Sequence, residues 1–149
     1  MRRSASAVAL LASLTGCATT YQDYTGQDAA CIKGDFANFI KYFSEGEAHV
    51  IIQEIDGVPT RGNKPFCFAP GKHRLRVLAD TSNRVAEDYV DLDFEAGRKY
   101  LLRANFREIA FVCQVMDITT PPGTKVGEFS LKSENVKKQI YIPTFVPAK

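Results

Sequence analysis

The chain has 149 residues, 45% hydrophobic and 24% charged, the size and balance of one ordinary globular domain. It carries 19 basic and 17 acidic side chains; with Arg2 and Arg3 set aside as part of a leader, 17 of each remain. That balance, with no basic stripe, excludes the electrostatic footprint of a nucleic-acid binder.

Met1-Arg2-Arg3 is a short positive start, and Ala5 to Leu14 is a run of small and apolar residues. The run is too short to span a bilayer, which takes about 20 apolar residues. It ends in Leu14-Thr15-Gly16-Cys17, which resembles the lipobox of bacterial lipoproteins. The resemblance implies diacylglyceryl transfer to the Cys17 sulfur, cleavage before Cys17 and acylation of the new amine. Two or three acyl chains anchor durably where one alone is marginal. In Gram-negative bacteria an Asp after the lipidated Cys favours retention at the inner membrane; Ala18 stands there instead, which implies the outer membrane, facing the periplasm. Residues 1–16 are therefore expected to be a signal peptide and 17–28 a lipidated tether. Ala18 to Asp28 is polar, contains Gly26 and has no apolar period, so it reads as flexible.

Residues 29–149 read as the folded domain. Asp35 to Ser44 places Phe36, Phe39, Ile40 and Phe43 at helical spacing behind Asp35, an N-cap type. This predicts a short helix or aromatic loop over an open edge of the fold. The alternative is an exposed aromatic patch for a protein partner or the membrane interface.

From residue 48 the pattern has period two, which signals half-buried strands. Ala48 to Asp56 forms one such run and ends at an Asp56-Gly57 turn. Phe66 to Ala69 turns at Pro70-Gly71 into Lys72 to Ala79, with His73, Leu75 and Val77 on one face and Arg74 and Arg76 on the other. Glu87 to Glu95 points Val90, Leu92 and Phe94 inward and Asp91 and Asp93 outward. Lys99 to Phe106 buries Tyr100, Leu102, Ala104 and Phe106; Ile109 to Asp117 buries Ile109, Phe111, Cys113 and Val115. A three-residue Ala96-Gly97-Arg98 hairpin would set Phe94 against Tyr100, Leu92 against Leu102 and, outside, Asp91 against Arg103 and Glu95 against Lys99. Arg107-Glu108 as a two-residue turn would set Ala104 against Phe111 and Leu102 against Cys113. Arg-Glu suits a primed turn poorly, so a loop longer by an even number of residues is the alternative. Together these predict an antiparallel meander over residues 87 to 117. The tail from Val136 to Lys149 carries Ile140, Ile142, Phe145 and Val146 among Pro143 and Pro147, which suits an edge strand and packed tail or a partner-docking segment.

Cys31, Cys67 and Cys113 remain once Cys17 is lipidated. In an oxidising compartment one disulfide is expected, with three pairings open. Cys113 alternates with Phe111 and Val115 and so faces the core as a free thiol, which leaves Cys31–Cys67.

Ile55-Asp56-Gly57, Pro70-Gly71-Lys72-His73 and Gly97-Arg98-Lys99-Tyr100 together resemble PEGA-type and transthyretin-like sandwich modules of bacterial envelope proteins, over residues 48 to 104. The resemblance implies a β-sandwich and no particular chemistry. The expected fold is mainly β, an antiparallel sandwich of about seven strands.

Motifs for catalysis, phosphate cradling or dinucleotide binding are missing. Asp88, Asp91 and Asp93 lack the glycine and closing Glu of a calcium loop, and His73 at a strand start reads as structural. No metal or cofactor is expected. The expected function is a non-catalytic binding or scaffold lipoprotein of the cell envelope, with an envelope protein as partner and Phe36, Phe39, Phe43 and Phe145 as the partner surface. The alternative is a periplasmic inhibitor or small-ligand carrier.

Overall fold

Period-two alternation dominates the chain, and the runs that carry it become strands. A computed structural model of the protein describes residues 19–36, 47–132 and 134–135. Among them there are ten strands and no helix: β1 (Ala30–Gly34), β2 (Glu47–Ile55), β3 (Val58–Pro59), β4 (Phe66–Phe68), β5 (Gly71–Asp80), β6 (Arg84–Phe94), β7 (Lys99–Arg107), β8 (Ala110–Asp117), β9 (Thr124–Lys132) and β10 (Glu134–Asn135). The fold is mainly β, as expected. The aromatic segment from residue 37 to 46 and the tail from 136 to 149 lie outside the described residues.

One sheet runs β3-β2-β5-β6-β10 and the other β4-β1-β7-β8-β9. They join where Glu47 and Ala48 of β2 pair with Asn105 and Ala104 of β7, before β2 passes on to β5. All pairings are antiparallel except β1 with β7, which is parallel, so the sheet is mixed rather than purely antiparallel. The inner faces bury Ile32, Val50, Leu75, Val77, Leu102 and Phe111 in one core. Rings cross the gap: Phe68 of β4 lies 4.7 Å from Phe94 of β6, and Phe94 lies 5.0 Å from Tyr100 of β7.

The expected hairpin between β6 and β7 does not form. β6 pairs with β5 and β10, and β7 pairs with β1, β2 and β8. Residues Glu95 to Arg98 form a corner between the sheets, with Gly97 N–H donating to the Asp28 carbonyl at 3.0 Å. Phe94 does meet Tyr100, but across the core. An inward apolar stripe is satisfied equally by a hydrogen-bonded neighbour and by a strand facing it from the other sheet, so parity alone cannot separate the two. The outer charges do separate them. Asp91 stands opposite Arg74, Arg103 donates to Asp35 at 2.8 Å, and Glu95 pairs with Arg98 at 3.4 Å, not with Lys99.

The β7–β8 hairpin does form, two residues out of the expected register. Ala104 faces Cys113 and Leu102 faces Val115, with Arg107 opposite Ala110. The turn is Glu108-Ile109, with Glu108 at φ 55°. A slip of two keeps every side chain on its face, so Phe111, Cys113 and Val115 are buried as expected. Ile109 is not: it sits at the turn tip and is 81% exposed. The true meander is β7-β8-β9, and it includes a last strand that the sequence reading did not assign.

Two details fix the joint between the sheets. A Cβ on Gly34 would lie 1.9 Å from the Val50 carbonyl oxygen, so only glycine lets β1 pass β2 this closely. In β2 the register shifts between Ile52 and Glu54. Thr60 takes up the carbonyls there, its N–H bonding Gln53 at 2.8 Å and its hydroxyl bonding Ile52, so the bulge leaves no carbonyl orphaned.

Candidate functional site

Cys17, Phe39, Phe43 and Phe145 lie outside the described residues. Phe36 is described: it is 49% exposed and stacks on His49 with ring centroids 4.5 Å apart. Cys31 and Cys67 stand directly opposite one another on β1 and β4 and are joined as a disulfide. The bond closes a separation of 36 residues, which in the chain-entropy description contributes about 4 kcal/mol. Cys113 is the free, buried thiol.

The residues leading into β1 are not a loose tether. Tyr21 N–H donates to the Pro59 carbonyl at 2.8 Å, and Tyr24 N–H donates to the Cys67 carbonyl at 2.9 Å. The Tyr21 hydroxyl also donates to Cys67 O, at 2.8 Å, and its ring meets Phe66 edge-on. Asp23 accepts from Cys67 N–H at 3.0 Å and pairs with Lys64. The segment straps the flank between β3 and β4, where an edge strand would otherwise expose its backbone. Burial, with the charges of Asp23 and Asp56, pushes the Tyr21 phenol up to about 12. Burial alone would raise the Asp23 carboxyl, but bonds from Lys64 and the Cys67 N–H outweigh it and hold it below its ordinary value. Polarity concealed this strap. The signal in the sequence was the pair of tyrosines flanking Asp23, aromatic surface that a free linker has no use for.

His73 lies where two sequence motifs meet. The Asp56-Gly57 turn has φ 51° and 79°, a primed hairpin turn. It directs the Asp56 carboxylate at β5, accepting Arg74 N–H at 2.9 Å and contacting His73 Nδ1 at 2.6 Å. His73 Nε2 lies 2.7 Å from the Ala69 carbonyl, and the ring packs on Phe68. Burial would raise the Asp56 carboxyl, but the Arg74 N–H, the His73 bond and the His73 charge together hold it below its ordinary range. Both ring nitrogens are thus engaged by protein acceptors. The group staples a turn to a strand.

On the outer face of β2, β5 and β6, Arg76 bridges Glu54 and Glu87. Arg74 and Arg76 lie over the Tyr89 ring at 5.1 and 5.9 Å, and the Tyr89 hydroxyl donates to Glu54 at 3.0 Å. Toward the β5–β6 turn the same face holds an open cleft of about 530 Å³, lined by Ile51, Leu78 and Val85 and by the polar residues from Asp80 to Arg84. Among the described residues no group of three or more His, Cys, Asp or Glu is placed to hold a metal ion. Asp91 and Asp93 project outward from a regular strand. No described helix is long and apolar enough to cross a membrane.

Comparison with protein-family models, with curated proteins and with solved structures finds no match to this chain.

Proposed function

We propose that this protein is an exported bacterial lipoprotein, anchored by lipid on Cys17 and serving as a non-catalytic binding or scaffold module at the periplasmic side of the outer membrane. The observation that carries the reading is Leu14-Thr15-Gly16-Cys17 behind a short basic and apolar leader. The disulfide supports it, because such bonds persist in oxidising compartments. A space between the sheets filled by Phe111, Ile32, Leu75 and Leu102 favours a scaffold over a carrier that holds its ligand inside the sandwich. His73 contacts Asp56 and Ala69 O within the fold, which suits a structural role. An envelope protein is the expected partner. Cys17→Ser should move the protein from the membrane fraction to the soluble periplasmic fraction, still folded and without lipid by mass spectrometry. A Cys17→Ser protein that stayed in the membrane fraction would refute the anchor.

A further inference from the structure

The strap sets how the domain is held. Left free, residues 17 to 28 would reach about 40 Å and let the domain tumble above the bilayer. The chain is instead fixed from Tyr21 onward by bonds to Pro59 and Cys67 and by the Asp23–Lys64 pair. Only four residue steps separate Cys17 from Tyr21, a reach of at most about 14 Å. Resting on the lipoprotein reading above, we propose that the β3–β4 flank, with its loop Thr60 to Pro65, is a membrane-facing surface that lies against phospholipid headgroups.

The loop has the chemistry for that place. It reads Thr60-Arg61-Gly62-Asn63-Lys64-Pro65, and Arg61 to Pro65 are all exposed; Lys64 is paired with Asp23 of the leash, so Arg61 carries the loop's net positive charge. Phospholipid headgroups present phosphates, and cations near them are attracted. The Pro59 carbonyl that holds Tyr21 is the residue before this loop, and Lys64 within it holds Asp23. The leash and the loop are therefore one local unit, and the loop cannot move away from the anchor. The opposite flank, β9 and β10, lies four strand spacings across the sheets, about 19 Å. The domain would present that flank to the periplasm.

The chain has no tryptophan, so single-indole variants report position directly. Full-length lipidated protein carrying Asn63→Trp or Val126→Trp is reconstituted into phosphatidylethanolamine–phosphatidylglycerol vesicles containing a lipid with a nitroxide on its headgroup. The Asn63→Trp indole should lose most of its emission, and the Val126→Trp indole on β9 should keep its own. Arg61→Trp reads the same loop should Asn63→Trp fold poorly. A Gly-Ser insertion between Thr19 and Thr20 should relieve the quenching. Equal quenching at both positions, or none at the loop, in protein whose Cys17 lipid is confirmed by mass would overturn the orientation while leaving the anchor intact. Protein without lipid on Cys17 would instead overturn the reading on which the orientation rests.

Discussion

Cys113 has 0% exposure, and burial pushes its thiol up to about 12. The thiolate is the reactive species, so the native protein should resist maleimide and react only as fast as it unfolds. Rapid labelling without denaturant would show that the core opens at β8. The Asp56–His73 staple makes a prediction with a definite sign. The folded carboxyl lies below its ordinary value, so its contribution is present above the unfolded value, about 3.9, and is lost as pH falls through the lower folded one. Asn tolerates the positive φ of Asp56, so Asp56→Asn tests the charge without straining the turn. It should cost about 1 kcal/mol in urea unfolding at pH 7, and the gap from the wild type should close as the pH is taken below 3.9. A gap that did not change with pH would assign the cost to packing. Inward and outward faces were legible at this scale, Cys113 and His73 included. The partners of His73 were not, because Asp56 and Ala69 reach it through turn geometry rather than through alternation.

Among the elements, the runs that became β2, β4, β5, β6, β7 and β8 were legible as strands, the short β4 from its position before the Pro70-Gly71 turn and the others because each has one wet face and one dry face. β1, β9 and β10 were not. β1 alternates in burial, but Ala30, Cys31 and Gly34 are small side chains that give little contrast in sequence, and β9 is exposed along most of its length, so alternation marked neither. Pairing was the weaker inference. β6 and β7 have compatible apolar stripes yet belong to different sheets, and the stripe match arises across the core. The joint between the sheets depends on one missing Cβ. Gly34→Ala would force a methyl into the Val50 carbonyl and should destabilise the fold by about 3 kcal/mol, as overpacking does. An unchanged urea midpoint would show that β1 and β2 do not approach so closely.

For the whole molecule, the described residues from Tyr21 to β1 belong to the domain. Tyr21→Ala removes an edge-on ring contact with Phe66 and a hydroxyl bond to Cys67 O. It should cost about 2 kcal/mol, measured by thermal or urea unfolding; a tether that only links would lose nothing. The sequence by itself determined the β class, the faces of the central strands and the lipobox on which the proposed anchor rests, because each is written in local order or in residue chemistry; of the three cysteine pairings it left open, the structure joins Cys31 to Cys67. Only the tertiary structure decided which strand lies beside which, the parallel meeting of β1 and β7, and the docking of Tyr21 to Tyr24 along the β3–β4 flank. Those outcomes depend on backbone bonds between segments far apart in the chain, such as Tyr24 with Cys67. Every backbone offers the same donor and acceptor wherever it lies, so composition and period leave the choice of partner open until the sheets close over one core.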